Sequence, residues 1–202
     1  MQTVKQKADL LIENFSKSIS NIKIDDNFER SVQAIYECKG KIITTGMGKA
    51  GIAMRKFSST LCSLGTPSCY LHPGEASHGD LGVIDHKDIL FVASTSGKTR
   101  EVLEVINLSR NINCQPIIGL TSHPDSAIRS KANIVLDMGV IKEAGFADMN
   151  LAPTTSILIM QAITDMIALL VADRRCFSSN DFSRYHHSGY IGSMARQDDT
   201  IY

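Results

Sequence analysis

The 202-residue sequence predicts an α/β fold, a three-layer α/β/α sandwich built on a five-stranded parallel sheet. Three observations predict it. Short apolar runs of strand length recur along the chain, several of them empty into glycine, serine or proline, and stretches with helical spacing lie between them. Strands that alternate with helices in this rhythm pair in parallel through right-handed crossovers, with helices on both faces. In such sheets ligands sit beyond the carboxyl ends of the strands, so the glycine and serine turns are where function is expected.

Each element follows from local pattern. Residues 3–21 place Ala8, Leu11, Ile12, Phe15 and Ile19 at three- and four-residue spacings, which predicts an amphipathic helix, and a second helix is expected from Asp26 to Cys38. Lys41 to Thr45 is the first strand. Gly46-Met47-Gly48-Lys49-Ala50-Gly51 then turns into a helical run ending near Leu64. Further strands are expected at Ser68–Leu71, Ile89–Ala93, Pro116–Leu120 and Ile134–Met138, with helices beginning at Thr99 and Pro124. A long helix is expected from Pro153 to Ala172, with Pro153 in its first turn. Residues 173–202 read as a shorter helix and a tail. No linker or low-complexity tract divides the chain, so one domain is expected over 1–202: N-terminal helices at about 3–38, an α/β core at about 41–175 and a tail at about 176–202.

Composition narrows the partners. Lysine plus arginine and aspartate plus glutamate number 21 each, without long basic runs, so neither nucleic acid nor an anionic membrane surface is expected. The five cysteines are widely spaced and form no Cys-x-x-Cys pair, which suits buried thiols in a reducing compartment. Charges interrupt the N-terminal apolar residues, and the apolar segment Ile157 to Ala172 carries Gln161, Thr164 and Asp165. A cytoplasmic protein is the expectation.

The chemistry-bearing stretches fall at the strand ends. After Ile89–Ala93 comes Ser94-Thr95-Ser96-Gly97-Lys98-Thr99-Arg100-Glu101, where a buried strand gives way to hydroxyls, a glycine and a helix. Unpaired amides and the dipole at a helix start favour an anion, and Ser94, Thr95, Ser96 and Thr99 add donors, so a phosphate is the natural guest. A serine-rich helix cap is the plainer alternative. A Walker loop is excluded, because Val92 stands where its first glycine is required. Gly46-x-Gly48-x-x-Gly51 matches the dinucleotide fingerprint in form, but the second strand ends in Leu71-His72-Pro73 rather than an acid, and no nicotinamide cofactor is expected. Lys49 can place its ammonium over a ligand there, or be an ordinary solvated lysine.

The loop from His72 to Gly82 holds two histidines, two acids and three glycines. His72, Glu75, His78 and Asp80 suit acid–base work or hydrogen bonds to nearby backbone, and no metal is expected. Glu101 follows the serine loop, Glu143 follows the last strand, and His186 sits late in Tyr185-His186-His187-Ser188-Gly189. Each has an ordinary structural role open to it, and sharing one site would raise all three.

As a set these motifs resemble the sugar isomerase (SIS) domain of arabinose 5-phosphate isomerases, from about Cys38 to Gly192. The residues that carry the resemblance are Gly46-Met47-Gly48-Lys49-x-Gly51, Gly65-Thr66-Pro67-Ser68, the loop His72 to Gly82, Ser94-x-Ser96-Gly97, Lys142-Glu143-Ala144, Leu151-Ala152-Pro153-Thr154 and His186. The resemblance implies the SIS fold, which is flavodoxin-like or Rossmann-like. It implies a phosphate held by Ser94, Thr95, Ser96 and Thr99, active-site positions at Lys49, His78, Glu101, Glu143 and His186, and substrate contacts from Gly48, His72 and Glu75. It implies interconversion of D-arabinose 5-phosphate and D-ribulose 5-phosphate through an enediol, without cofactor, feeding 3-deoxy-D-manno-octulosonate synthesis for lipopolysaccharide or capsule. A homo-oligomer is implied too, a tetramer in which the late histidine reaches a neighbour's site. Another phosphosugar isomerase of the 6-phospho-3-hexuloisomerase type, or a non-catalytic phosphosugar sensor, is the alternative.

Three departures stand out. Lys98 replaces a glutamate common after Ser-Gly, His186-His187-Ser188-Gly189 replaces His-Pro-Gly-Gly, and two residues are inserted between Glu143 and Leu151. Longer family members continue into paired CBS modules, and regulation through these is not expected here.

Overall fold

The computed structural model describes residues 3–145 and 149–196. The insertion expected between Glu143 and Leu151 lies partly at 146–148 and the end of the tail at 197–202, outside the described residues. Two helices come first. In α1, Val4–Ser20, the Thr3 hydroxyl accepts from Gln6 N while the Gln6 side chain answers the Thr3 amide. In α2, Asp26–Glu37, Asp25 accepts from Phe28 N, and Phe28, Val32 and Ile35 form one buried stripe. By contrast α1 buries no residue fully, and Leu10, Ile12 and Ile19 are exposed.

The sheet comprises β1 (Ile42–Gly46), β2 (Ser68–Tyr70), β3 (Ile89–Ala93), β4 (Ile117–Thr121) and β5 (Ile134–Asp137) in the order β2-β1-β3-β4-β5. Every pairing is parallel, and Gly46 registers with Ala93, which in turn registers with Leu120. Helix α3 (Gly48–Ser63) follows β1, α5 (Arg100–Asn111) follows β3, and α6 (Ala127–Lys131) follows β4. Between β2 and β3 lie the short α4 (Pro73–Ala76) and a 3-10 turn at Asp80–Val83. The chain closes with α7 (Thr155–Arg174), α8 (Ser179–Tyr185) and α9 (Gly189–Arg196).

The strand alternation splits the core into two. Ile42, Phe91 and Ile118 face α2, α3 and α7, with Phe57 edge-on to Phe91 at 4.9 Å between centroids. Ile43, Leu90, Val92 and Ile117 face the other way, towards Val102, Val105 and Ile106 of α5. Helix α7 is apolar and long enough to cross a membrane by composition alone, but Ile159, Met160, Ile163, Ile167 and Val171 are buried in the first of these cores. The order of strands reverses between β1 and β3, and there the crevice opens at the carboxyl edge.

Two expected boundaries are corrected. Helix α7 begins at Thr155 with Thr154 as its cap, so Pro153 precedes the helix instead of occupying its first turn. Pro124 belongs to a turn closed by Ser126 N on the His123 carbonyl at 3.2 Å, and α6 therefore starts only at Ala127. The tail holds two helices where one was expected.

Candidate active site

The crevice between the ends of β1 and β3 is a cavity of about 290 Å³ lined by Met47, Lys49 and Ala50, by Ser94, Thr95, Ser96 and Thr99, and by Pro153 and Ile157. These residues sit at or just before the starts of α3, α5 and α7, so three helix N-termini converge on one small volume.

On the β1 side the Tyr70 phenol donates to the Gly46 carbonyl at 2.8 Å. A Cβ on Gly51 would stand 2.4 Å from that same carbonyl, so glycine is what lets α3 approach the strand end. Lys49 lies in the first turn of α3, exposed at the rim. On the β3 side Ser94 is buried, its Oγ accepts from Gly97 N at 3.0 Å, and it is 2.8 Å from Thr99 Oγ1. Gly97 has φ +64°, and a Cβ there would fall 1.6 Å from Ser126 Oγ. The loop can therefore close only on glycine.

The Ser94–Thr99 bond has a consequence for α5. Thr99 is its N-cap, yet the hydroxyl makes no capping bond because it is turned to Ser94, and Met47 caps α3 without a side-chain bond either. The leading amides of both helices are left for a ligand, and with Lys49 above them the guest they suit is an anion.

Glu101, half-buried in the first turn of α5, makes no hydrogen bond or ion pair among the described residues. Glu143 is tied to the third helix: its Oε2 accepts from Thr154 N at 2.8 Å and Ser156 N at 3.2 Å, capping α7 from a distant loop. It also borders a larger cavity of about 670 Å³ against α1. His72 caps α4, accepting from Gly74 N at 3.2 Å through Nδ1. Leu71 and Ala76 anchor that loop in the α5 core, leaving Glu75 and His78 exposed. Gly48, with φ +59°, starts α3 in open space.

His186 is not brought into this crevice by its own chain. Its ring stacks on Phe182 at 3.8 Å, and its neighbour Tyr185 stacks on Phe177, which packs against Gly65. Gly65 lies just past the C-terminal end of α3, and a 16-residue helix spans about 24 Å. His186 therefore stands most of a helix length from Lys49.

Lys98 does not face the anion loop. Its Nζ lies 2.5 Å from Asp125 Oδ2, and the hydrogen bond from Lys98 holds that carboxyl below its usual range. Sequence reasoning missed Asp125, together with Thr121 and Ser126 behind the loop, since they come from across the sheet with no motif of their own. Among the described residues no group of three histidine, cysteine, aspartate or glutamate side chains is placed to hold a metal.

Comparison with known proteins gives one family. The SIS domain model matches residues 34–170. The chain is 39% identical over 191 residues to arabinose 5-phosphate isomerase KpsF of Escherichia coli, covering 95% of this chain and 56% of that protein. It is 36% identical over 189 residues to arabinose 5-phosphate isomerase KdsD of Francisella tularensis, covering 90% and 57%. It thus spans about half the length of these relatives. Among solved structures, a Bacteroides fragilis NCTC 9343 protein assigned as a phosphosugar isomerase involved in capsule formation superposes with TM-score 0.88 at 36% identity, covering 92% of this chain and 98% of that one. An E. coli CFT073 protein in complex with arabinose 5-phosphate gives TM-score 0.83 at 28% identity, covering 92% and 100%. With the five-stranded parallel sheet and the crevice at its reversal point, these matches identify the chain as a member of the SIS domain family.

Proposed function

We propose that this chain is an aldose–ketose isomerase that interconverts D-arabinose 5-phosphate and D-ribulose 5-phosphate. The observation that carries the reading is the crevice itself. It presents a hydroxyl loop, two helix starts without side-chain caps and Lys49 to an anion, with Glu101 within the first turn of α5. The names of the relatives above supply the sugar. Isomerisation moves a proton between C2 and C1 through an enediol, so it needs a base, a group to stabilise the enediolate and a handle on the far end. Ser94, Thr95, Ser96 and Thr99 are the handle, Lys49 the stabiliser, and Glu101 or Glu143 the base. Positioned proton transfer supplies about 10²–10⁴-fold, and anchoring the phosphate fixes the reacting carbons against the base.

The aldose closes a furanose ring, and its opening needs another acid–base group. His186 fills that role from a neighbouring subunit in a homotetramer, since its own crevice is a helix length away. Exposed apolar residues on α1 (Leu10, Ile12, Ile19) and α9 (Tyr190, Ile191, Met194) offer surface for such contacts. His72, Glu75, His78 and Gly48 form the wall on the β1–β2 side. The chemistry routes every proton through side chains and calls on no cofactor. One cytoplasmic domain whose product enters 3-deoxy-D-manno-octulosonate synthesis completes the reading.

Incubating the purified protein with arabinose 5-phosphate and assaying ribulose 5-phosphate is the decisive experiment. Wild type turns over, while Glu143→Ala and His186→Ala lose most of the rate; wild-type rates in either variant would sink the role of that residue. Mixing Lys49→Ala with His186→Ala restores part of the activity if sites are shared between subunits. Tight binding of the sugar phosphate with no turnover would instead favour a sensor, a reading to which the capture of Glu143 by α7 lends some weight.

A further inference from the structure

The anion loop is held from behind by the end of β4. The Thr95 carbonyl accepts from the backbone N–H of Ser122 at 3.0 Å and of His123 at 3.3 Å, and the Thr121 hydroxyl reaches it at 3.4 Å. Ser94 N donates to the Leu120 carbonyl at 3.1 Å, which continues the β3–β4 ladder one residue past the strand. The Thr121 and Ser126 hydroxyls are hydrogen-bonded at 2.9 Å, both residues are buried, and Ser126 fills the space where a Cβ on Gly97 would stand. Neither Thr121 nor Ser126 lines the crevice.

This clamp sets the direction of one peptide. A trans peptide holds its C=O and N–H in opposite directions, and the Thr95–Ser96 bond is trans. With the Thr95 carbonyl drawn towards β4, the Ser96 N–H points to the other side of β3, the side of β1, where the crevice lies. Among the described residues the Ser96 N–H has no protein partner. Were this plane to turn over, a carbonyl dipole would face the phosphate in place of a donor, and attraction would become repulsion.

We infer that Thr121 and Ser126 are positioning residues for the isomerase reaction: they lock the Thr95–Ser96 peptide so that the Ser96 amide is a preset donor to the substrate phosphate. Neither touches substrate, and both act through the backbone of the loop. The inference rests on the reading of the loop as a phosphate site and adds to it a mechanism for its order.

The test uses the wild-type 202-residue chain, labelled with ¹⁵N and titrated with inorganic phosphate. The Ser96 amide proton moves downfield and saturates. Movement of Thr95, Gly97 or Thr99 with Ser96 unmoved would overturn the inference while leaving the phosphate site standing, whereas stillness throughout 94–99 would remove both. Kinetics give the second measurement. Thr121→Val keeps the shape and loses the hydroxyl, and raises KM for the sugar phosphate ~3- to 10-fold with kcat within roughly twofold. Thr121→Ser restores KM, and Ser126→Ala moves KM the same way as Thr121→Val. A Thr121→Val enzyme that melts earlier but keeps its KM would mean that the hydroxyl serves stability alone and would overturn the inference.

Discussion

At the amino edge of the sheet Asp88, between the 3-10 turn and β3, is 1% exposed, and its carboxylate accepts from Lys41 N and Asp85 N at 2.8 Å each and from Lys41 Nζ at 2.6 Å. At the carboxyl edge the leading amides of α3 and α5 meet no side-chain cap, although α1, α2 and α8, which start elsewhere, are each capped by a Thr, Asp or Ser. The same chain thus satisfies its polar groups with its own residues where it needs only to be stable. At the crevice it leaves the leading amides of α3 and α5 without a side-chain cap, while those of α7 are met by Glu143. A cap is worth about 1 kcal/mol, so leaving α3 and α5 without one is a small sacrifice of stability at the crevice; α6 also starts without a side-chain cap, because the Ser126 hydroxyl is bonded to Thr121.

The difference predicts that substitutions at the two edges separate binding from folding. The largest effect belongs to Gly97→Ala, which places a Cβ at φ +64° and into the Ser126 hydroxyl. The left-handed conformation costs about 1–2 kcal/mol before any clash is counted, and the loop cannot keep its closed shape. Phosphate affinity, read by calorimetry, falls ~100-fold or more. A Gly97→Ala protein that still binds phosphate like wild type would show that the closed loop is dispensable.

Next is Asp88→Ala at the other edge. It leaves two amides and the Lys41 ammonium without their acceptor, and lowers unfolding free energy by ~2–4 kcal/mol in urea titrations. Phosphate affinity of the folded fraction is unchanged; a parallel loss of affinity would mean that the edges are coupled through the strands. Smaller again is Thr99→Asp. Aspartate caps α5 better than the diverted threonine hydroxyl and raises stability by ~0.5–1 kcal/mol, while its charge in the anion site raises KM ~10-fold or more. A variant that binds phosphate normally would show that the open helix start is incidental.

Much of this was legible in the sequence, for reasons that can be named. Ile89–Ala93 reads as a strand because it is continuously apolar, and it is buried at every position. The hydroxyls after it can be placed at a helix start from spacing alone, so Ser94 to Thr99 emerged as a unit. Lys49 followed from the same logic on the β1 side. The clamp at Thr121 and Ser126 was not legible, because it depends on β4 lying beside β3, a matter of strand order and not of local pattern. Glu143 was legible as an acid at a strand end, but its bond to the amides of α7 spans more than ten residues and a proline. His186 carried a family likeness, and only the packing of Phe177 on Gly65 reveals how far it stands from its own crevice. Pro153 misled by composition: proline suits a first helical turn, yet Thr154 takes the cap and displaces it outward.

The smallest expected effect sharpens the view of the amino edge, and its sign follows from burial. Cys114 is fully buried with its Sγ 3.2 Å from the Asp88 carbonyl, and burial above all pushes the thiol from 9.0 up to about 12. Burial also raises Cys38 and Cys69. In the unfolded chain these thiols lose their protons from about pH 9 upwards, while the folded protein keeps them, so each step in pH through that window favours unfolding. Lys41 adds to the trend. Burial presses its pKa down, but the Asp88 carboxylate outweighs it and the net shift is upward. The stabilisation that Lys41 contributes is therefore present in full below 10.5 and is lost as pH passes through the raised value. Urea midpoints measured between pH 8 and pH 11 decline steadily, and Cys114→Val, which removes the group raised to about 12, flattens the slope. The carboxyl edge contributes no such buried thiol among the described residues, and its Tyr70 phenol, raised by burial above the ordinary 10.0, stays protonated at pH 8 and pH 9, so inorganic phosphate lifts the midpoint by a similar increment at both. A midpoint independent of pH, or a slope that Cys114→Val leaves unchanged, would place the alkaline weakness elsewhere in the molecule and dissolve the contrast between the two edges.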